Sequence, residues 1–402
     1  MRVLVLGGDA DGNLGDRAIL TAMVDELHAL VPGLAISAVI GRSGQAAIEP
    51  LPRGPAGLLK LCRAARRADL VLCGGGGLFQ DDDSLVKMPY WALRVLLMRL
   101  LAPRVAGYAL GVGPLAAPSS RLFARLAFAC MERVSVRDPR ALAVAAPLSS
   151  RSVELVPDPA LLLRPRPREE ALAALAAAGL PRDGRPLLGV AVRRWFPPRR
   201  RLVPHKIAYR FRANAANEAA EARRLAVLLA ESLDRMVAEQ GYRVLFLPSY
   251  DLEHEGDSRV AAAVRARMRS GSDAHVLRLD DAALYKAVCG ELDLMLAGRM
   301  HPAIFAAAMG RPVVGLAYNQ KFNGFFELLG QPERVLDVAA FVAAQAVGQL
   351  CAMLDTARAH GPVRAARLEA LGGAVRAFNR DLLRRDLPRR DPVGCDLREA
   401  PQ

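Results

Sequence analysis

Short apolar runs alternate along the chain with longer stretches whose apolar positions recur at helical spacing. This is the rhythm of a parallel sheet joined by crossover helices. In the first half it predicts strands at Val3–Leu6, Leu34–Ile40, Ala68–Cys73, Val105–Leu110, Val134–Val136 and Val153–Val156, with a helix after the first running to Leu30. Arg164-Pro165-Arg166-Pro167-Arg168 then reads as the start of a linker, followed by an Ala-rich helix to Leu180. Beyond it the rhythm restarts, with strands at Leu187–Val192, Val244–Leu247, Val276–Leu279, Leu292–Leu296 and Val313–Leu316. Helices are expected near Asn217–Glu239 and Ser258–Met268, and from His301 onward. The expectation is an α/β protein of two Rossmann-like domains, 1–175 and 176–345. A helical basic tail, 346–402, is placed to return and brace the first domain. The charge-free stretch Val338–Leu354 carries Gln345 and Gln349 and reads as a packed helix rather than a membrane span.

Composition narrows the partners. Of 402 residues, 52% are hydrophobic and 24% charged, which excludes a disordered or fibrous chain. Lys and Arg number 55 against 41 Asp and Glu, a net charge of +14, yet only 5% of residues are aromatic. Base stacking on interleaved aromatics is therefore not a theme, and nucleic acid is not the expected partner. An anionic substrate, an anionic lipid surface or an Arg-rich background accounts for the excess instead. The apolar run at the N-terminus is too short for a secretory signal. The six cysteines (62, 73, 130, 289, 351 and 395) show neither C-x-x-C pairing nor zinc spacing. They read as reduced thiols of a cytoplasmic protein.

Ligands of open α/β sheets collect at the carboxyl ends of the strands, and five strand-following loops carry the candidate chemistry. Gly12-Asn13-Leu14-Gly15-Asp16 precedes a helix; its amides suit an anion, or Asp16 caps them. Gly74-Gly75-Gly76-Gly77 runs into Leu78-Phe79-Gln80-Asp81-Asp82-Asp83. Four ordered glycines cost about 0.5–1 kcal/mol each relative to Ala, which argues for close backbone approach to a ligand or a neighbouring strand. Gln80 and Asp81 offer acceptors for sugar hydroxyls. In Ser135-Val136-Arg137-Asp138, the Arg and Asp either pair with each other or meet a ligand. Arg193 leaves the first strand of the second half, where a guanidinium suits a carboxylate or phosphate. The residues after it are basic to Arg212, either a solvated loop or an electrostatic funnel toward an anionic substrate or lipid. Gly298-Arg299-Met300-His301-Pro302 is the sharpest of the five. His301 falls at a helix start beside Arg299, where the helix dipole favours neutral imidazole and a bound phosphate favours imidazolium. Opposed influences of that kind suit a proton-transfer group.

Taken in order, these motifs resemble the polysaccharide pyruvyltransferase family. The resemblance is carried by GNLGD at 12–16, GGGGLFQD at 74–81, GVGP at 111–114, SVRD at 135–138 and DPA at 158–160. It continues through GVAVR at 189–193, LPSYD at 247–251, GRMH at 298–301 and GRPVVGLAYNQKF at 310–322, and so spans residues 3–325. It implies a glycosyltransferase-B-like fold with the active site in the interdomain cleft. The implied reaction moves pyruvate from phosphoenolpyruvate to a sugar as a ketal bridging two hydroxyls, releasing phosphate. By position, Arg193 and Arg299 match the donor-binding arginines and His301 the general acid/base. Met300 matches a backbone contact to the donor, and Lys321, in the last motif, is also expected to bind the donor. The loops holding Asn13, Asp16, Gly75, Gly76, Gln80 and Asp81 would face the acceptor. No metal or cofactor beyond the donor is required. The basic stretch 197–212 and the Arg-rich tail depart from the pattern and offer a surface for a lipid-linked acceptor at the inner face of the membrane.

Two other readings share part of this evidence. A nucleotide-sugar glycosyltransferase would have the same architecture but needs a base-and-ribose recognition segment; Glu327, after the 310–322 motif, imitates one. A non-catalytic binder of anionic glycolipid would use the basic surface but has no need of His301 beside Arg299.

Overall fold

A computed structural model describes residues 1–8, 12–40, 47–82, 84–180, 183–195, 215–251 and 256–384. The basic stretch 197–212, Asp83, Cys395 and the end of the tail lie outside the described residues.

The first sheet contains β1 (Arg2–Leu6), β2 (Ala35–Val39), β3 (Ile48–Leu51), β4 (Leu70–Phe79), β5 (Val105–Val112), β6 (Arg133–Val136) and β7 (Val153–Leu155). All pair in parallel, in the order β3-β2-β1-β4-β5-β6-β7. The intervening helices are α1 (Leu14–Leu30), α2 (Pro55–Arg67), α3 (Lys87–Leu101), α4 (Pro118–Ala129) and α5 (Pro139–Ala145). After α6 (Arg168–Ala177) a second parallel sheet forms from β8 (Leu187–Ala191), β9 (Arg243–Phe246), β10 (Ala274–Val276), β11 (Leu294–Ala297), β12 (Val313–Ala317) and β13 (Val335–Asp337). Its order is β10-β9-β8-β11-β12-β13. Its helices are α7 (Ala215–Gln240), α8 (Asp257–Arg265), α9 (Ala282–Cys289), α10 (Met300–Ala308) and α11 (Gln320–Leu329). The chain closes with α12 (Val338–Ala344), α13 (Val347–His360) and α14 (Ala365–Leu383). These are two Rossmann-like domains. Strand order reverses beside β1 in one sheet and beside β8 in the other, so each has a crevice at the carboxyl end of those strands.

The departures from the sequence reading have local causes. β4 does not stop at Cys73 but continues through all four glycines to Phe79. A Cβ on Gly74 would stand 2.1 Å from the carbonyl oxygen of Tyr108, so glycine is what lets β4 and β5 pair there. The edge strands β3 and β13 escape the pattern; β3 contains Pro50, which suits an edge and interrupts the apolar run. The stretch Val338–Leu354 is broken at Gln345, whose φ of 48° ends α12 before α13 begins. Among the described residues no helix is long and apolar enough to cross a membrane.

The domains also meet at several places beyond the linker. The boundary expected at 175/176 falls inside α6, which packs on α9 of the second domain through Arg168–Glu291 at 2.8 Å. Lys286 on α9 is buried and donates to the carbonyls of Leu161 and Leu163 in the first domain at 2.8 and 2.7 Å. Burial pulls its ammonium down to about 8. The tail divides its work. Leu350 and Leu354 of α13 pack into the core of the second sheet, whereas α14 crosses back to the first. There Tyr108 donates to Asn379 at 2.7 Å, Arg104 donates to the carbonyl of Leu382 at 2.8 Å, and Phe378 packs edge-on to Tyr108 beneath Arg133. Phe378→Ala should therefore cost about 3–5 kcal/mol, seen as a lowered urea midpoint. A midpoint equal to that of the parent would mean that α14 does not brace the first sheet.

Candidate active site

The two crevices meet where α10 begins. Gly298 donates its N–H to the Ala191 carbonyl at 2.7 Å, tying the turn after β11 to the end of β8. Arg299 is the residue preceding α10, and Met300 and His301 are its first two. Met300 is buried in the core, which leaves only its backbone to face a ligand. His301 points across the domain junction. Its ring lies on Gly15, where a Cβ would fall 1.8 Å from Nδ1, so no other residue fits at the start of α1. Its Nε2 is buried without a hydrogen-bond partner, 3.8 Å from Oδ2 of Asp158. Burial pushes the imidazole down to about 4; Arg137 and Arg299 push the same way and Asp158 opposes them. The ring is neutral near pH 7.

Asp158 and Arg137 are the members of this cluster that sequence reasoning did not single out as site residues. Asp158 caps the short turn Pro159–Leu162 by accepting from Ala160 N at 3.0 Å, and accepts from Arg137 Nη1 at 3.1 Å. Their signal was present in the DPA and SVRD motifs, each following a short strand. Only the fold brings the two loops under His301. The open question about Arg137 and Asp138 resolves in an unexpected way. Arg137 bonds to Asp158, its Nε stands 3.9 Å from Asp138 and is buried without a hydrogen bond, and Asp138 caps α5 through Ala141 N. Burial raises the Asp138 carboxyl against the lowering influence of Arg137 and Lys321.

The cations expected at the donor are each held by a neighbour. Nε and Nη2 of Arg299 both meet the buried carboxylate of Asp257, Nε at 3.0 Å, and its guanidinium lies 5.4 Å from the Tyr250 ring. Asp257 also accepts from the amides of Ser249 and Tyr250, so Arg299 is fixed by a rigid partner. Arg193 stacks 3.9 Å over Tyr318 and donates to the Arg194 carbonyl at 3.2 Å. Lys321, in the first turn of α11, reaches Gln80 of the first domain directly.

On the opposite side, Asn13 caps α1 by accepting from Gly15 N at 2.9 Å. Asp16 is not the cap; its carboxylate lies against the backbone of Gly8 and Gly76. Gly75 and Gly76 take positive φ and bend the end of β4, and the Gly75 carbonyl accepts from Gly8 N at 3.1 Å. Asp81 requires a correction. It is fully buried, and its two oxygens accept from Ala116 and Ala117 at the start of α4, which makes it an anchor of the fold rather than an acceptor contact. The structure thus brings His301, Gly15, Asp158 and Arg137 together and joins Lys321 to Gln80. It buries Asp81 beneath them. Among the described residues no three His, Cys, Asp or Glu side chains converge as a metal-holding group.

A model of the family described as polysaccharide pyruvyl transferase matches residues 13–320, from the cap of α1 to the start of α11. Among solved structures, the UDP-GlcNAc 2-epimerase of Methanocaldococcus jannaschii is similar with a TM-score of 0.61 at 10% identity, over 96% of this chain and 100% of that one. The Neisseria meningitidis UDP-GlcNAc 2-epimerase bound to UDP-GlcNAc gives 0.58 at 12% identity, over 96% and 100%. The S. aureus MnaA–UDP co-structure gives 0.56 at 10%, over 97% and 98%. At such identities the likeness is one of fold.

The His301 environment has a direct readout. An unfolded imidazole titrates near 6.5, and the folded one near 4. Between those values the unfolded chain binds more protons. The stability gained by burying the neutral ring is thus complete above about pH 6.5 and is lost as pH falls toward 4. In an NMR titration of the ligand-free protein the His301 ring should remain neutral at about pH 6. A midpoint near 6.5 would contradict the buried geometry.

Proposed function

The chain belongs to the polysaccharide pyruvyl transferase family. From that premise we propose that it transfers pyruvate from phosphoenolpyruvate to a sugar of a surface glycan or its lipid-linked precursor, forming a ketal and releasing phosphate. The observation that carries this reading is His301, a buried neutral base whose Nε2 lacks a partner at the junction of the two domains.

Phosphoenolpyruvate is small and carries about three negative charges, which charge-assisted hydrogen bonds from guanidinium groups accommodate. Arg193, Arg299 and Lys321 supply the cations on the second domain, with the Met300 amide at the positive end of α10. Such an anion, placed beside a ring held near 4, raises its affinity for a proton. Asp158, 3.8 Å from Nε2, then stabilises the imidazolium, and Arg137 holds that carboxylate in place.

The reaction balances with one such group. The imidazolium gives its proton to the methylene carbon of the donor, leaving an oxocarbenium centre at C2. One sugar hydroxyl adds there and returns its proton to His301. The second hydroxyl displaces phosphate, and its proton leaves on the phosphate. Asn13, Asp16 and Gln80 line the acceptor side, and Gly75 and Gly76 let a sugar approach the end of β4.

His301→Ala should lower kcat for phosphate release from phosphoenolpyruvate, with a sugar acceptor present, by about 10²–10⁴-fold. Arg299→Ala should mainly raise KM for the donor. A His301→Ala protein with the parental kcat would remove the assignment.

A further inference from the structure

Eleven large hydrophobic side chains are exposed among the described residues, and nine of them lie on α2, α3, α4 or the residue before α3. Those three helices cover one face of the first sheet, burying Ala65, Val95, Met98 and Phe128 against it, while α1 and α14 cover the other. Because α3 packs against both α2 and α4, their outer surfaces form one continuous face. Its most exposed members are Leu100 at 75%, Leu59 at 65% and Leu93 at 60%. On α3 the inward stripe is Met88, Trp91, Val95 and Met98, yet the outward positions are again Tyr90, Leu93, Leu96 and Leu100. A helix that is apolar on both sides is normally covered on both sides. Contiguous apolar surface of this kind marks an interaction site.

The charges on the same face say what covers it. Residues 55–67, 87–101 and 118–129 contain nine Lys and Arg and no Asp or Glu. Two copies of this chain docked face to face would oppose like charges across an isologous contact. An anionic bilayer satisfies both features at once, taking leucines at the acyl boundary and basic side chains among the headgroups. We propose that the outer face of α2, α3 and α4 docks on an anionic lipid bilayer. This face is distinct from the 197–212 stretch and the end of the tail, which lie outside the described residues. Val86 and Lys87 begin this face six residues after Gln80, on the side of the sheet at which β4 ends. That a lipid-linked sugar is delivered there rests on the pyruvyl-transfer reading; the docking itself does not.

The test is flotation of the full chain with vesicles of phosphatidylcholine alone or of equimolar phosphatidylcholine and phosphatidylglycerol. The parent should float only with the anionic vesicles, and less as salt rises. Leu93→Gln with Leu100→Gln should weaken partitioning by about tenfold or more. Arg66→Glu with Arg99→Glu should weaken it by roughly fivefold or more per residue. Both variants should keep the parental melting temperature and parental turnover of phosphoenolpyruvate with a short water-soluble acceptor. Three results overturn the proposal. They are a parent that does not float, a leucine variant that floats like the parent, and a parental dimer that this variant dissociates. Absence of turnover in a parent that floats would count against the proposed reaction and leave the docking face standing.

Discussion

The contact between His301 and Gly15 is the constraint around which the two domains are arranged. An imidazole from one domain lies against the backbone of the other, and its Nε2 is buried with no hydrogen-bond partner. An unsatisfied buried polar atom costs about 1–3 kcal/mol, so the surroundings must be held firmly enough to keep it there. Several otherwise unrelated features serve that end. Arg137 and Ala160 fix Asp158 beneath the ring, and Lys286 clamps the carbonyls that follow it. Arg299 is tied to Asp257, and Lys321 reaches across to Gln80. A shift of one domain against the other would break the Lys286, Lys321 and His301 contacts together.

The pairing of rigid cations with a neutral base also explains a division of labour within the site. Arg299 and Arg193 are oriented by Asp257 and Tyr318 before any ligand arrives, so less side-chain entropy is lost on binding. His301 is instead held firmly neutral, and a bound anion is what would favour its imidazolium form. In the proposed reaction the donor's own charge switches on the acid that attacks it. A protein without substrate then keeps no imidazolium in the site.

Most of the fold was legible because a parallel sheet buried on both faces writes its strands as apolar runs. Two of the four edge strands, β3 and β13, were not, being half-solvated. The return of the tail to the first domain was expected, but not the pairing of α14 with Tyr108 across more than half the chain. In the site, His301, Arg299 and Arg193 stood out because each follows a strand end. Asp158 and Arg137 stood out less, because a charged residue after a strand reads equally as a cap, and both do serve as local anchors. Asp81 misled for the same reason in reverse: its position at a strand end suggested a ligand, but two amides of α4 consume it. The exposed leucines of α3 were hidden by periodicity itself, since a helix apolar on both sides shows no stripe. The net charge of +14 is also clarified in place. Nine of its cations sit with no acidic neighbour on three consecutive helices of one face, away from Arg193 and Arg299.

The central claim is that an anionic donor charges a buried, neutral His301. Calorimetric titration of phosphoenolpyruvate, repeated near neutral pH in buffers of different ionisation enthalpy, counts the protons taken up on binding. Comparison with His301→Gln removes the contribution of the ligand's own phosphate. The parent should take up more protons than the variant, by a difference approaching one per donor bound, and donor binding should tighten as pH falls. Equal proton uptake by parent and variant would contradict it.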